Sequence, residues 1–139
     1  MLARKRLPRR SGFTLVELVI VILILGILAA VAAPRMFDTA TNARTNATRH
    51  SLMIVRDAIQ LYRAQYGALP GEAGTQADLQ TDLTIMLNGP FPRSEIGNTG
   101  TTVRIQTSGA VLAASGTESW AFDTLTGQFI NNHATGSSW

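Results

Sequence analysis

The stretch SGFTLVELVIVILILGILAAVAAP, residues 11–34, decides the fold because residues 13–33 are almost wholly apolar. A helix over those 21 residues rises about 30 Å, which matches the hydrocarbon core of a bilayer. Glu17 is the only charged residue in the run, and a carboxylate at bilayer depth is costly unless it is paired. The stretch therefore predicts a transmembrane helix whose single acid, near its start, needs a partner.

A basic block precedes the apolar run and consists of Arg4, Lys5, Arg6, Arg9 and Arg10. Together with Gly12, Phe13 and Glu17, this block resembles the N-terminus of type IV prepilins and type II secretion pseudopilins. The resemblance implies that a prepilin peptidase cuts after Gly12, removes residues 1–12 as a leader, and leaves Phe13 to be N-methylated. It covers the first third of the chain well and the remainder more loosely.

Two other interpretations explain part of this pattern. A secretory signal peptide also begins with basic residues, and residues 30–33, AVAA, imitate its cleavage site. Its apolar region is, however, only about 7–15 residues long, shorter than the run seen here. A plain single-pass anchor, with its positive side kept in the cytoplasm, explains the length and the basic flank. It does not explain Glu17 or the Gly12–Phe13 pair at the polar boundary.

The charge of the chain is unevenly distributed. The full sequence has 12 basic and 9 acidic residues, a formal net charge of +3. Beyond residue 12 the side chains sum to −2, because 7 of the basic residues and all 9 acidic ones remain. The remaining arginines are scattered singly, so nucleic-acid binding is not predicted. The chain has no cysteine, which excludes disulfides, thiolate metal sites and cysteine nucleophiles.

Residues 34–66 predict a continuation of the helix beyond the membrane. Pro34 removes one backbone donor and is expected to kink or locally open the helix. From residue 51 onward the pattern is amphipathic, with a stripe formed by Leu52, Val55, Ile59, Tyr62 and Tyr66. Gly67 is suited to the C-terminal cap, and Pro70 prevents further helix. This ending resembles that of the long helix in pseudopilins, where a Tyr and a Gly-x-x-Pro recur.

Residues 67–139 predict a small globular head. Residues 76–88 favour a short helix with Thr75 as its N-cap, and later residues favour three or four short antiparallel strands. The largest side chains available to its core are Trp120, Phe122 and Phe129. No structure is predicted for the polar tail, residues 131–139. The predicted fold is α+β, a long N-terminal helix packed on a small antiparallel sheet, and it resembles the pilin fold.

No catalytic or metal-binding constellation is apparent in the sequence. His50 and His133 are the only histidines and have no metal-ligand spacing such as His-x-x-x-His. The resemblance implies a calcium loop for the major pseudopilins, preceded by an Asp-Pro-Trp-Gly-type segment. Residues 118–123, ESWAFD, lack that pattern. We therefore predict no enzyme activity, no cofactor and no metal site.

These observations predict a structural subunit of a type II secretion pseudopilus or a type IV pilus-like filament. Once Phe13 is the N-terminus, its ammonium and the Glu17 carboxylate are both costly in lipid, and pairing between neighbouring subunits removes both costs. Small residues at Gly26, Ala29, Ala30 and Ala33 would let helices approach closely. A secretion pseudopilin is favoured over a surface pilin, because the head is short and lacks cysteine and because of the helix ending.

The resemblance also implies the location and the partners. The leader lies in the cytoplasm, the helix in the bacterial inner membrane and the head outside it, until the subunit enters a periplasmic or surface filament. Its partners are other pilins, the prepilin peptidase, an assembly platform membrane protein and an ATPase, with Pro34 and Glu17 serving assembly. The alternative from a different class is a membrane-tethered binding or sensor domain that never polymerises.

Overall fold

The computed structural model describes residues 12–139 and has the predicted α+β architecture. Helix α1 spans Leu15–Tyr66 and helix α2 spans Gln76–Thr84. Three short strands follow in the order β1 (Val103–Gln106), β2 (Trp120–Asp123) and β3 (Phe129–Asn131). The chain forms two compact units. The first ends at Thr39, and the second is Ala40–Trp139, so that the boundary falls inside α1.

In the first unit, every described residue is exposed. Among residues 12–139, α1 is the one helix that is long and apolar enough to cross a membrane. The helix runs on through Pro34 without a break in its assignment. Because proline has no N–H, the carbonyl of Ala30 receives no amide hydrogen bond from residue 34. The kink or local opening predicted at Pro34 stays a prediction.

In the second unit, α1 buries the predicted stripe. Its buried side chains are Thr48, Leu52, Val55, Ala58 and Ile59. Tyr66 was expected on this stripe but is 50% exposed, and its ring packs on that of Tyr62 with centroids 4.6 Å apart. Gly67 ends the helix with φ +74° and donates its N–H to the carbonyl of Arg63 at 2.9 Å, as its C-cap role requires.

The sheet is mixed, in the order β1-β2-β3, and the expectation of a fully antiparallel sheet is wrong for one pair. Strands β2 and β3 pair antiparallel, whereas β1 and β2 pair parallel. A parallel pair needs a crossover of a dozen or more residues, and residues 107–119 provide it. The apolar run at residues 111–113 forms no strand. Val111 is 86% exposed, while Leu112 turns inward against the sheet.

Alternation along the strands gives the sheet two buried faces. Trp120, Phe122 and Phe129 face one core together with the buried residues of α1 and α2, as the sequence predicted. On the other face, Ala121 and Ile130 pack against Leu112 of the crossover. Trp120 is fully buried, its ring stacks on that of Phe129 at 5.3 Å, and its Nε1 donates to the carbonyl of Pro92 at 3.1 Å. The crossover therefore forms a third layer, with the sheet between it and the two helices.

Helix α2 begins as predicted and ends earlier. The Thr75 hydroxyl accepts the N–H of Asp78 at 3.2 Å, which is N-cap geometry. Leu79 and Leu83 are fully buried. The helix ends at Thr84 rather than at residue 88, and residues 85–88 continue as turns in which Leu87 still reaches the core.

Loss of the Thr75 cap provides a test of this helix. Thr75→Ala is expected to lower the free energy of unfolding by about 0.5–2 kcal/mol, because the N–H of Asp78 loses its acceptor. Urea unfolding of a fragment of residues 39–139, followed by circular dichroism, measures the change. The matched control is Thr81→Ala, an exposed position within α2 where alanine is expected to be neutral or stabilising. Equal losses in both variants would contradict the capping role.

The tail, for which no structure was predicted, is folded back onto α1. The guanidinium of Arg56 donates from Nε to the carbonyl of Phe129 at 3.0 Å and from Nη2 to that of Trp139 at 2.6 Å. The guanidinium of Arg49 lies over the Trp139 ring, 4.4 Å from its centroid. A Cβ at Gly136 would come within 2.5–2.9 Å of the Asn131 side chain, so only glycine fits there. The polar tail is thus part of the head.

Candidate functional site

The start of α1 is built as a capping box. Thr14 precedes the first helical residue, and its hydroxyl accepts the N–H of Glu17 at 3.2 Å. In return, the Oε2 atom of Glu17 accepts the N–H and the hydroxyl of Thr14, both at 2.8 Å. This is the Thr-x-x-Glu arrangement that satisfies helix N-terminal donors reciprocally. Thr14 and Glu17 have the spacing of a capping box in the sequence, whereas only an assembly role was predicted for Glu17.

The capping box leaves part of the Glu17 carboxylate available. Both bonds that it accepts from residues 12–139 end on Oε2, and no residue in that range donates to Oε1. Phe13, Glu17, Leu18 and Val21 line a shallow concavity on the helix surface. Phe13 itself is 82% exposed. The positive end of the helix dipole stabilises the carboxylate itself. Within the apolar concavity, its Oε1 atom remains able to accept a bond from a cation.

Two glycines near this site have no packing role among the described residues. A Cβ added at Gly12 or Gly26 would meet no atom within 4 Å. A glycine inside a helix costs roughly 0.5–1 kcal/mol relative to alanine. Gly26 therefore lowers helix stability without a benefit inside the single chain. It lies at the centre of an apolar notch whose other walls are Val19, Ile22, Leu23, Ile27 and Ala30.

The four site residues predicted from the sequence do not converge. Phe13 and Glu17 lie one turn apart and share the concavity. Gly12 directly precedes them. Pro34 lies 17 residues beyond Glu17 along the same helix, about 25 Å away at the usual rise. Among residues 12–139, no group of three or more His, Cys, Asp or Glu side chains could hold a metal ion. The arrangement offers a carboxylate oxygen for charge pairing and an apolar notch for helix packing.

Comparison with known proteins confirms the resemblance seen in the sequence. Residues 7–33 match the prokaryotic N-terminal methylation motif. The chain is 29% identical over 86 residues to type II secretion system core protein G of Pseudomonas aeruginosa, covering 62% of this chain and 58% of that one. It is 40% identical over 62 residues to the type IV narrow pilus major component PilA5 of Thermus thermophilus, covering 45% and 53%.

A third relative matches a longer stretch of the chain. The chain is 35% identical over 100 residues to a fimbrial protein of Neisseria meningitidis, covering 71% of this chain and 57% of that protein. The chain thus spans between half and three fifths of the length of these curated relatives. No solved structure matches it. The relatives are pilins and a secretion pseudopilin rather than enzymes.

Proposed function

We propose that this chain is a pilin-like subunit, anchored in a membrane by α1 and assembled into a helical filament. The observation that carries the proposal is the methylation motif over residues 7–33, joined to a helix whose single acid within the apolar run, Glu17, lies at its start. The relatives in type II secretion and in type IV pili support either kind of filament, and the short, cysteine-free head favours the secretion pseudopilus.

Assembly would follow from charge pairing in lipid. A cut after Gly12 turns the backbone nitrogen of Phe13 into an ammonium group. That ammonium binds the Glu17 carboxylate of a neighbouring subunit, with Oε1 as the first acceptor, since Thr14 already engages Oε2. The pair removes two uncompensated charges from the bilayer and sets the axial stagger between helices. The notch around Gly26 receives the neighbouring helix, because small residues allow close approach.

The proposal includes location and partners. The leader lies in the cytoplasm and the head outside the inner membrane, in agreement with the basic block before the apolar run. A prepilin peptidase removes residues 1–12, and other pilins form the filament with this subunit. A platform protein and an ATPase extract it from the membrane. Pro34 gives α1 a point where the helix can open during that step.

Processing is expected to yield a chain that begins at Phe13 with a methylated amine. Intact-mass measurement of membrane-extracted protein decides this directly. Lys5 is the only lysine, so the processed chain carries no lysine ammonium, and an amine-specific label can reach only its N-terminus. The control is the same protein made without the peptidase, which keeps Lys5 and its label. Retention of residues 1–12 in protein that still assembles would contradict the proposal.

The capping box favours a second candidate, a membrane-tethered binding or sensor domain that does not polymerise. Since Thr14 and Glu17 satisfy each other within one chain, Glu17 has a structural role that needs no neighbour. Variants that separate the charge of Glu17 from its capping function distinguish the two candidates.

A further inference from the structure

A buried carboxylate lies at the end of β2, where it accepts bonds from three different parts of the head. Asp123 is fully buried and accepts five hydrogen bonds. Its Oδ1 accepts the N–H of Leu125 and that of Thr126, both at 2.9 Å, and the Thr126 hydroxyl at 3.2 Å. Its Oδ2 accepts Nε2 of Gln106 and the N–H of Gly109, both at 3.0 Å. The donors belong to β1, to the crossover and to the turn between β2 and β3.

Among residues 12–139, none of the groups that donate to the Asp123 carboxylate is charged. The groups that face Asp123 are the Gln106 amide from β1, the Gly109 backbone from the crossover, and Leu125 and Thr126 from the turn. Burial raises the pKa of the Asp123 carboxyl. The hydrogen bonds from Thr126, Gln106, Leu125 and Gly109 outweigh burial and hold its pKa below the ordinary value. The group is therefore an ionised carboxylate at neutral pH, stabilised by dipoles instead of a counter-ion.

The residues around Asp123 do not fit the calcium ion that the resemblance implies for major pseudopilins. Calcium takes six to eight oxygen ligands, and an amide N–H cannot be one of them. Both oxygens of Asp123 already receive N–H donors from Gln106, Gly109, Leu125 and Thr126. No cluster of acidic residues suited to a metal occurs among residues 12–139. The donors occupy the positions from which a cation would bind.

We propose that Asp123 is an internal anionic clamp that fixes the crossover and the β2–β3 turn to the sheet, so that the head folds without calcium. Gly109 is the contact that joins the crossover to the clamp, and the crossover supplies the layer in which Leu112 covers Ala121 and Ile130. Release of the clamp would loosen that layer first. The core shared with α1 lies on the other face of the sheet and would be affected less.

The pH dependence has a definite sign. A carboxyl whose pKa is lowered in the folded state contributes stability that is fully present above the unfolded pKa of about 3.9. That stability is lost as the pH falls through the lower, folded pKa. The Asp123 contribution is therefore constant between pH 7 and pH 5 and disappears only below about pH 4.

The test compares thermal unfolding of the full chain in detergent micelles, with added calcium chloride and with EDTA. The melting temperature is expected to be the same in both. Asp123→Asn should lower the melting temperature at pH 7 by roughly 10 °C or more. In this variant an NH₂ group replaces one carboxylate oxygen, and the donors that this oxygen accepted lose their partner. The matched control is Asp57→Asn, an exposed carboxylate on α1, for which no shift is expected. The wild type should also lose stability below pH 4 more steeply than Asp123→Asn does.

If Asp123→Asn does not fold, Gln106→Ala removes one of the five bonds to Asp123, together with the bond from the same Nε2 to the Ala110 carbonyl at 2.7 Å. It is expected to give a smaller decrease in melting temperature, again without a calcium effect. A rise in melting temperature on adding calcium to the wild type would overturn the proposal. An unchanged melting temperature in Asp123→Asn would overturn it as well. Neither outcome depends on processing or on filament assembly. The clamp proposal can therefore be wrong while the proposed function is right, and the proposed function can be wrong while the clamp proposal is right.

Discussion

Glu17→Ala is expected to abolish filament assembly while the subunit still enters the membrane at normal levels. Removal of a charge from the apolar run makes insertion easier, not harder. Processing after Gly12 should largely persist, because the cut lies outside α1. The incoming Phe13 ammonium, however, finds no carboxylate in the neighbouring subunit and stays at the headgroup region. Shearing or crosslinking of fibres from cells measures assembly, with the membrane level and the mass of the subunit as controls.

The capping box requires variants that separate two roles of Glu17. Glu17→Gln keeps a side chain that can accept the Thr14 bonds but removes the charge. Thr14→Ala removes the Thr14 hydroxyl from the box and keeps the charge. If charge pairing drives assembly, Glu17→Gln fails, Thr14→Ala still forms fibres, and Glu17→Asp is impaired less than Glu17→Ala. Normal fibres from Glu17→Gln would mean that Glu17 only caps α1, and the pairing mechanism would be wrong.

Trp120→Ala is expected to lower the free energy of unfolding of the head by about 3–5 kcal/mol. Trp120 is fully buried between β2 and the helices, and its loss leaves a cavity beside Phe129 and an unpaired Pro92 carbonyl. A fragment of residues 39–139 lacks the apolar run and is expected to be soluble and monomeric. Its urea unfolding, followed by circular dichroism, gives the change without relying on tryptophan fluorescence.

Trp139→Ala is the matched control for that substitution. Trp139 is only partly buried: its ring packs at the margin of the core under Arg49, and Arg56 bonds its backbone carbonyl, which the substitution keeps. Its truncation should therefore cost clearly less than that of Trp120. If the two variants lose equal stability, or if Trp120→Ala leaves it unchanged, the core is not centred on Trp120 and the packing described for β2 is wrong.

Periodicity and end signals were sufficient to predict the helices. The apolar run, the stripe through Leu52, Val55 and Ile59, the Gly67 cap and the Thr75 cap are all local patterns, and each is present in the structure. The α+β class and the aromatic core followed from them. Tyr66 was misplaced because it lies in the last turn, where the helix passes the edge of the core and the side chain faces solvent.

The pairing of the strands could not be predicted in the same way. In most parallel pairs a helix connects the two strands, and its sequence pattern indicates the parallel arrangement. Here residues 107–119 form an irregular crossover rich in Gly, Ala and Ser. Three of the five bonds to Asp123 come from the next three residues, but those from Gln106 and Gly109, like the docking of Trp139, join residues far apart in the sequence. No local pattern reports such contacts. By contrast, the Thr14–Glu17 capping box is a local pattern, and residue spacing alone is enough to predict it.

The link that Arg56 makes has a mechanical consequence. Its guanidinium joins α1 to carbonyls 73 and 83 residues further along the chain. Tension applied along α1 would therefore reach β3 and the tail directly, without passing through the loop after Gly67. Hydrogen bonds that link distant parts of the chain share an applied force, so that several bonds must break together. The head should accordingly resist stretching as one body and rupture in a single step when α1 is pulled, rather than peel away strand by strand.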